Sequence, residues 1–197
     1  VHLKDFHMSG KLPQHLYALI GLDDDKQDNE PSTFEFRPCG WGMPDKPPTP
    51  ADALAEEVDY SDVDLVVLPG GIPGTPNLAA NKTVTDTCVS FAKSGKKVAA
   101  ICAAPSVLAS LGLLEGRKAT AHAGFQDKLA GAEVLDTEVV VDGNITTSYG
   151  LGGAIPFALE LVRQLAGQAE ADRIRDELKA QGIEITDVPG GAKWKRV

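Results

Sequence analysis

Among the side chains able to do nucleophilic chemistry, one thiol stands apart by its setting. Cys102 lies in Lys97-Val98-Ala99-Ala100-Ile101-Cys102-Ala103-Ala104-Pro105-Ser106, where a β-branched apolar run gives way to a helix-forming stretch. A side chain at such a tight strand-to-helix turn is held outward at the carboxyl edge of a sheet, and the first unpaired N–H groups of the next helix point toward it. Their partial positive charge favours thiolate over thiol. Ala100 and Ala104, two positions either side, fit a crowded elbow, although glycine is the usual residue there. Free cysteine is also among the most buried residue types. The segment alone therefore admits both a reactive thiol and a packed structural one. Of the other two cysteines, Cys88 lies on the inward stripe of a helix and reads as core, while Cys39, in a Pro/Gly-rich stretch, reads as an exposed thiol.

The elements that position Cys102 follow from periodicity. Val63-Asp64-Leu65-Val66-Val67-Leu68, closed by Pro69-Gly70-Gly71, reads as a buried parallel strand. Asn81 caps a helix whose Val84, Cys88, Phe91 and Ala92 recur at helical spacing, and Gly95 stops it before the Val98 strand. The elbow helix runs from about Ala104 to Leu111. A strand at Lys118–Ala121 and a short helix around Gln126–Leu129 follow. Glu138–Asp142 and Asn144–Thr147 flank Asp142-Gly143, a hairpin turn signal. Ile155, Leu159, Val162 and Leu165 give the next helix one apolar stripe, a core face rather than a cofactor box. Strands alternating with helices predict an α/β fold, a doubly wound parallel sheet whose sites lie outside the strands' carboxyl ends. Cys102 and Gly70-Gly71 both fall on that edge.

Composition narrows the partners. A chain of 197 residues, 43% hydrophobic, suffices for one compact α/β core. The 19 basic against 28 acidic residues give a net charge of −9, which repels nucleic acid and anionic membrane surfaces. A small, neutral or electrophilic substrate fits better. Three widely spaced cysteines are too few for a disulfide framework, so a reducing, cytoplasmic setting is expected. His2, His7, His15 and His122 have no metal-ligand spacing, and the glycines around Gly70 and Gly150 make no phosphate loop. Neither a metal nor a nucleotide cofactor is expected. No apolar run approaches a membrane span, and Val1-His2-Leu3-Lys4-Asp5 lacks a signal-peptide core.

With these residues placed, the chain resembles the ThiJ/PfpI family of the class I glutamine-amidotransferase-like, flavodoxin-like fold, over about Ala51 to Leu178. The resemblance rests on four motifs in order: Asp64–Gly71; Ala99-Ala100-Ile101-Cys102-Ala103-Ala104-Pro105; Ala119-Thr120-Ala121-His122; and Thr147-Ser148 before Gly150 and Gly152-Gly153-Ala154. It implies that Cys102 is the reactive thiol at a nucleophile elbow. Gly71 and Ala103 would supply backbone N–H groups resembling an oxyanion hole. His122 would relay a proton beside the cysteine; taken by itself, it reads as a hydrogen-bonded histidine ending a strand. The implied activity is a glyoxalase-like or deglycase-like reaction on reactive dicarbonyls such as methylglyoxal or their early adducts, carried out by a homodimer. Alternatives are a redox-responsive stress protein or chaperone that oxidises Cys102, and an impaired member without its acidic partner.

Residues 1–50 depart from the family, whose members open with an apolar strand, an acidic motif ending in a glutamate beside the cysteine, and a helix rich in Arg and Leu. Leu16–Leu22 is the one run fit to be that first strand, and Asp28 and Glu30 follow it at a plausible distance, although each reads as a surface carboxylate. Pro38 to Pro50 carries five prolines and reads as irregular chain, with Trp41 and Met43 over a core edge. A family-like body joined at about Ala51 to a patternless head is what an altered reading frame or a foreign segment produces, and Val1 in place of Met suggests a partial or processed chain. One domain is expected over residues 1–187, with 1–50 divergent and 188–197 a flexible basic tail. Near the site the family commonly reads Thr-Ser-Arg-Gly-Pro-Gly, whereas this chain reads Thr147-Ser148-Tyr149-Gly150-Leu151-Gly152. A phenol replaces an always-charged donor.

Overall fold

The computed structural model describes residues 5–8, 34–37, 54–188 and 191–196. The chain divides into two compact units, residues 1–57 and 58–197. In the first, β1 (Asp5–Met8) and β2 (Phe34–Arg37) pair antiparallel, Phe6 opposite Phe36, and Ala55–Glu57 forms a 3-10 turn. Leu16–Leu22, Asp28, Glu30, Cys39, Trp41 and Met43 lie outside the described residues.

The second unit opens with β3 (Leu65–Leu68), α1 (Gly74–Ala80), α2 (Lys82–Ser94), β4 (Lys97–Ile101) and α3 (Pro105–Ser110). Next come β5 (Lys118–Ala119), β6 (Glu133–Val134), β7 (Val139–Asp142) and β8 (Ile145–Ser148). It closes with α4 (Ala154–Ala166), α5 (Gln168–Ala180), β9 (Ile183–Val188) and β10 (Gly191–Arg196). The main sheet has the order β3-β4-β8-β7. Leu65 to Leu68 pair in parallel with Lys97 to Ala100, Val98 to Ile101 pair in parallel with Ile145 to Ser148, and β7 runs antiparallel to β8.

Side chains on a strand alternate faces, and both faces here are covered. Val66, Leu68, Val98, Ala100 and Ile145 pack with Cys88 and Phe91 of α2 and with Val107 and Leu108 of α3. Leu65, Val67, Ala99, Ile101 and Val139 turn the other way, onto Phe157 and Leu161 of α4. Burial on both sides explains why β3 and, after Lys97, β4 are apolar at successive positions rather than alternating. The architecture is thus α/β and flavodoxin-like, with helices on both faces of the sheet. Among the described residues no helix is long and apolar enough to cross a membrane.

Local signals hold in detail around the elbow. Asn81 Oδ1 accepts the Val84 N–H at 3.0 Å, capping α2, and Asp142-Gly143 turns β7 into β8. Elsewhere the structure differs from the sequence reading. On α4 the buried residues are Pro156, Phe157, Leu159 and Leu161, whereas Leu165 is 52% exposed; the first turns of the helix meet the sheet and Leu165 falls in its last. The strand expected at Lys118–Ala121 is only Lys118–Ala119, since its partner β6 is two residues long. The helix expected around Gln126–Leu129 is a 3-10 segment, Ala123–Lys128. The expected basic tail instead contributes β10, which pairs with β9 from Gly191↔Val188 to Arg196↔Ile183.

Candidate functional site

β4 ends at Ile101 and the chain reverses into α3 through Cys102. Its φ of 65° makes Cys102 the sole non-glycine residue with positive φ among the described residues. Left-handed backbone costs an L residue about 1–2 kcal/mol, so the surroundings must hold it in place. Two hydrogen bonds do so. The Cys102 N–H donates to the Ser148 carbonyl at the end of β8 (2.8 Å), and the Cys102 carbonyl accepts the His122 N–H (2.9 Å). The first ties the elbow to its neighbouring strand, and the second brings His122 alongside the cysteine.

Close packing explains the small residues around the thiol. A Cβ on Gly70 would lie 2.5 Å from Cys102 Cβ and 3.0 Å from Ala103 N, so only glycine lets the end of β3 pass the elbow. Ala100, Ala103 and Ala104 are at most 1% exposed. On another side, a Cβ on Gly150 would meet Cys102 Sγ at 3.6 Å and His122 Cδ2 at 3.8 Å. The sulfur and the imidazole therefore share the space over Gly150. Cys102 itself is only partly buried, whereas Cys88 is 0% exposed; burial pushes the Cys88 thiol up to about 11.

Gly71 and Ala103 follow, respectively, the two residues in closest contact here, Gly70 and Cys102. Among the described residues neither the Gly71 N–H nor the Ala103 N–H donates to a protein acceptor. The Gly71 carbonyl accepts both the N–H and the hydroxyl of Thr75, at 2.8 and 2.9 Å, which fixes this loop to α1. His122 is exposed, and its Nδ1 accepts the Gly124 N–H at 3.1 Å. An accepting Nδ1 leaves the neutral ring's proton on Nε2, next to the Cδ2 that faces Gly150. The site thus presents a partly open sulfur, two unused amide donors and an imidazole N–H. Such a set can add sulfur to an electrophilic carbon and hold the oxygen anion that results.

The structure brings Cys102, His122, Gly70-Gly71, Ala103 and Gly150 together. Asp28 and Glu30, the carboxylates considered as acid partners, lie outside the described residues. Tyr149, where the family commonly has arginine, is neutral: burial, reinforced by the nearby Glu138 carboxylate, raises its phenol above the ordinary value. Sequence reasoning missed the hydroxyls behind the site. Thr147 Oγ1 accepts the Thr120 N–H at 3.0 Å, joining the His122 segment to β8, while Thr120 Oγ1 and Ser148 Oγ are buried without a partner among the described residues. Only long-range packing creates these neighbours, so no local pattern could have shown them. Among the described residues no cluster of His, Cys, Asp and Glu could hold a metal ion.

Comparison with known proteins gives the family and the fold. The family model described as DJ-1/PfpI family matches residues 45–164. The chain belongs to the DJ-1/PfpI family. It is 41% identical to Protein DJ-1 homolog A of Arabidopsis thaliana over 127 residues, 63% of this chain and 32% of that protein. It is 37% identical to Deglycase PfpI of Pyrococcus furiosus over 116 residues, 58% of this chain and 69% of that one. Among solved structures, oxidized Toxoplasma gondii DJ-1 superposes with a TM-score of 0.62 at 36% identity, covering 65% of this chain and 70% of its own. Drosophila melanogaster DJ-1beta gives 0.57 at 36% identity, covering 63% and 66%. The chain spans about a third or less of the two Arabidopsis relatives and 58% of Drosophila DJ-1alpha. The DJ-1/PfpI match begins close to Ala51, where the sequence changes character.

Proposed function

We propose that this DJ-1/PfpI chain is a cysteine-dependent enzyme acting on reactive dicarbonyls such as methylglyoxal, or on their early adducts. The observation that carries the reading is Cys102 in left-handed backbone with its sulfur beside His122, flanked by the unused amides of Gly71 and Ala103. The deglycase name borne by the Pyrococcus relative supports it.

The Cys102 thiolate adds to the aldehyde carbon of an α-oxoaldehyde, forming a C–S bond while the carbonyl π pair becomes an oxyanion. Gly71 and Ala103 N–H groups stabilise that oxyanion, the Nε2–H of His122 donates a hydrogen bond to it, and water supplies the proton that makes it a hemithioacetal. A base then removes the hydrogen from the former aldehyde carbon, and a proton is returned to the adjacent carbon. The first carbon becomes a thioester as the ketone becomes an alcohol, so the oxidation and the reduction balance within the substrate. Water cleaves the thioester, releasing a hydroxy acid and the thiol. His122 keeps its Nε2 proton throughout and holds the substrate oxygen by a hydrogen bond while protons pass between substrate and water.

Product analysis tests this. Wild-type protein should convert methylglyoxal to lactate, and Cys102→Ser should lower the rate by more than about 100-fold. Equal lactate formation by the two proteins would overturn the proposal.

A further inference from the structure

A groove of about 570 Å³ is bounded by α1, α3 and the 123–128 segment, elements that closely follow Gly71, Cys102-Ala103 and His122 in the chain. Ile72, Pro76, Ala79, Val107 and Phe125 make it apolar, and among the described residues that line it Lys128 is the only ionisable one. Each wall is attached to a residue of the site. Ile72 directly follows Gly71 and is 56% exposed. Ser106, also on the groove, donates its hydroxyl to the Ala103 carbonyl at 2.6 Å. Phe125 stands edge-on to the His122 ring, centroids 6.5 Å apart, and its N–H donates to the His122 carbonyl at 2.7 Å.

The polar groups in the groove have one preference. Thr75, Ser106 and Ser110 all donate their hydroxyl protons to backbone carbonyls, so those protons are already committed. Among the described residues the donor not so committed is Lys128, whose Nζ rests 4.6 Å from the Phe125 ring centroid. Among the described residues it has no carboxylate partner. An aromatic wall with a cation on it recognises a flat apolar group that ends in an anion, and the volume suits a small organic ligand.

We propose that this groove is the subsite for the non-reacting end of the substrate, selecting aryl α-oxoaldehydes that carry a carboxylate. The proposal rests on the reading of Cys102 as nucleophile. On this proposal the carbonyl carbon goes to the sulfur, the ring lies against Ile72 and Phe125, and the carboxylate reaches Lys128.

The test compares kcat/KM for methylglyoxal, phenylglyoxal and 4-carboxyphenylglyoxal in wild type, Lys128→Met and Ala79→Trp. The carboxylated substrate should exceed phenylglyoxal by about tenfold, the equivalent of one charge-assisted hydrogen bond. Lys128→Met should remove that advantage, and Ala79→Trp, an exposed position that a large ring would fill, should depress both aryl substrates. Methylglyoxal should be turned over equally by all three proteins. An absent carboxylate advantage, or one that survives Lys128→Met, overturns the proposal. A separate arm titrates 4-acetylbenzoate, which has no aldehyde, into Cys102→Ser and follows amide NMR shifts. Shifts at Ile72, Ser106 and Lys128 support the groove even if no aldehyde is turned over, which would count against the enzyme reading alone. No shift there overturns the groove whatever the turnover. Sedimentation showing copies that associate through this face, abolished by Ala79→Trp, would likewise overturn it.

Discussion

At the scale of single residues, one backbone angle sets the site apart. The strand-to-helix junction at Cys102 was legible in the order of apolar and helix-forming residues, but its φ of 65° was not, because cysteine carries no local preference for left-handed backbone. The strain is sustained by hydrogen bonds to Ser148 and His122, partners far away in sequence. The same distance hid the link between Thr147 and Thr120. Cys102→Gly and Cys102→Ala lose the same sulfur yet differ in backbone cost. Cys102→Gly should be the more stable of the two by about 1 kcal/mol, read from urea midpoints. A more stable alanine variant would mean that the elbow is relaxed.

Among elements, α2 shows how far pattern reading reaches. Its start at Asn81, its end at Gly95 and its inward Cys88 and Phe91 all follow from side-chain chemistry within one segment. α5 escaped because its stripe is thin, with only Ala171 buried, and its exposed face carries Arg173 paired with Glu170 and Glu177. β10 escaped because its strand character depends on β9. α2 also carries a prediction about pH. Burial raises the Cys88 thiol from 9.0 to about 11 in the folded protein. Below pH 9 both folded and unfolded chains keep the proton and the contribution is full. Between pH 9 and 11 the unfolded chain loses it first, so stability should fall by about 1.4 kcal/mol per pH unit. Above pH 11 both states are ionised and this loss stops. In denaturant titrations across that range, Cys88→Ala should lose less stability than wild type. Parallel curves would show that Cys88 ionises in the folded state as it does in the unfolded one.

For the molecule as a whole, the alternation of apolar strands with capped helices was enough to expect an α/β sheet wound on both sides, and the two faces of β3 and β4 show why. Strand order was not legible in this way: β8 lies between β4 and β7, although β4 and β8 are far apart in the chain. That crossover puts the Ser148 carbonyl under Cys102 and the Tyr149–Gly153 loop beside the sulfur. The apolar groove was equally invisible, since its walls come from three separate segments. What the fold achieves, on this account, is to present one sulfur and bury another. The direct measurement is the rate at which iodoacetamide alkylates each cysteine of the native protein, followed by peptide mapping with and without methylglyoxal. Cys102 should react far faster than Cys88 and be protected by methylglyoxal; alkylation of Cys102 no faster than that of Cys88, or unaffected by methylglyoxal, would contradict the account.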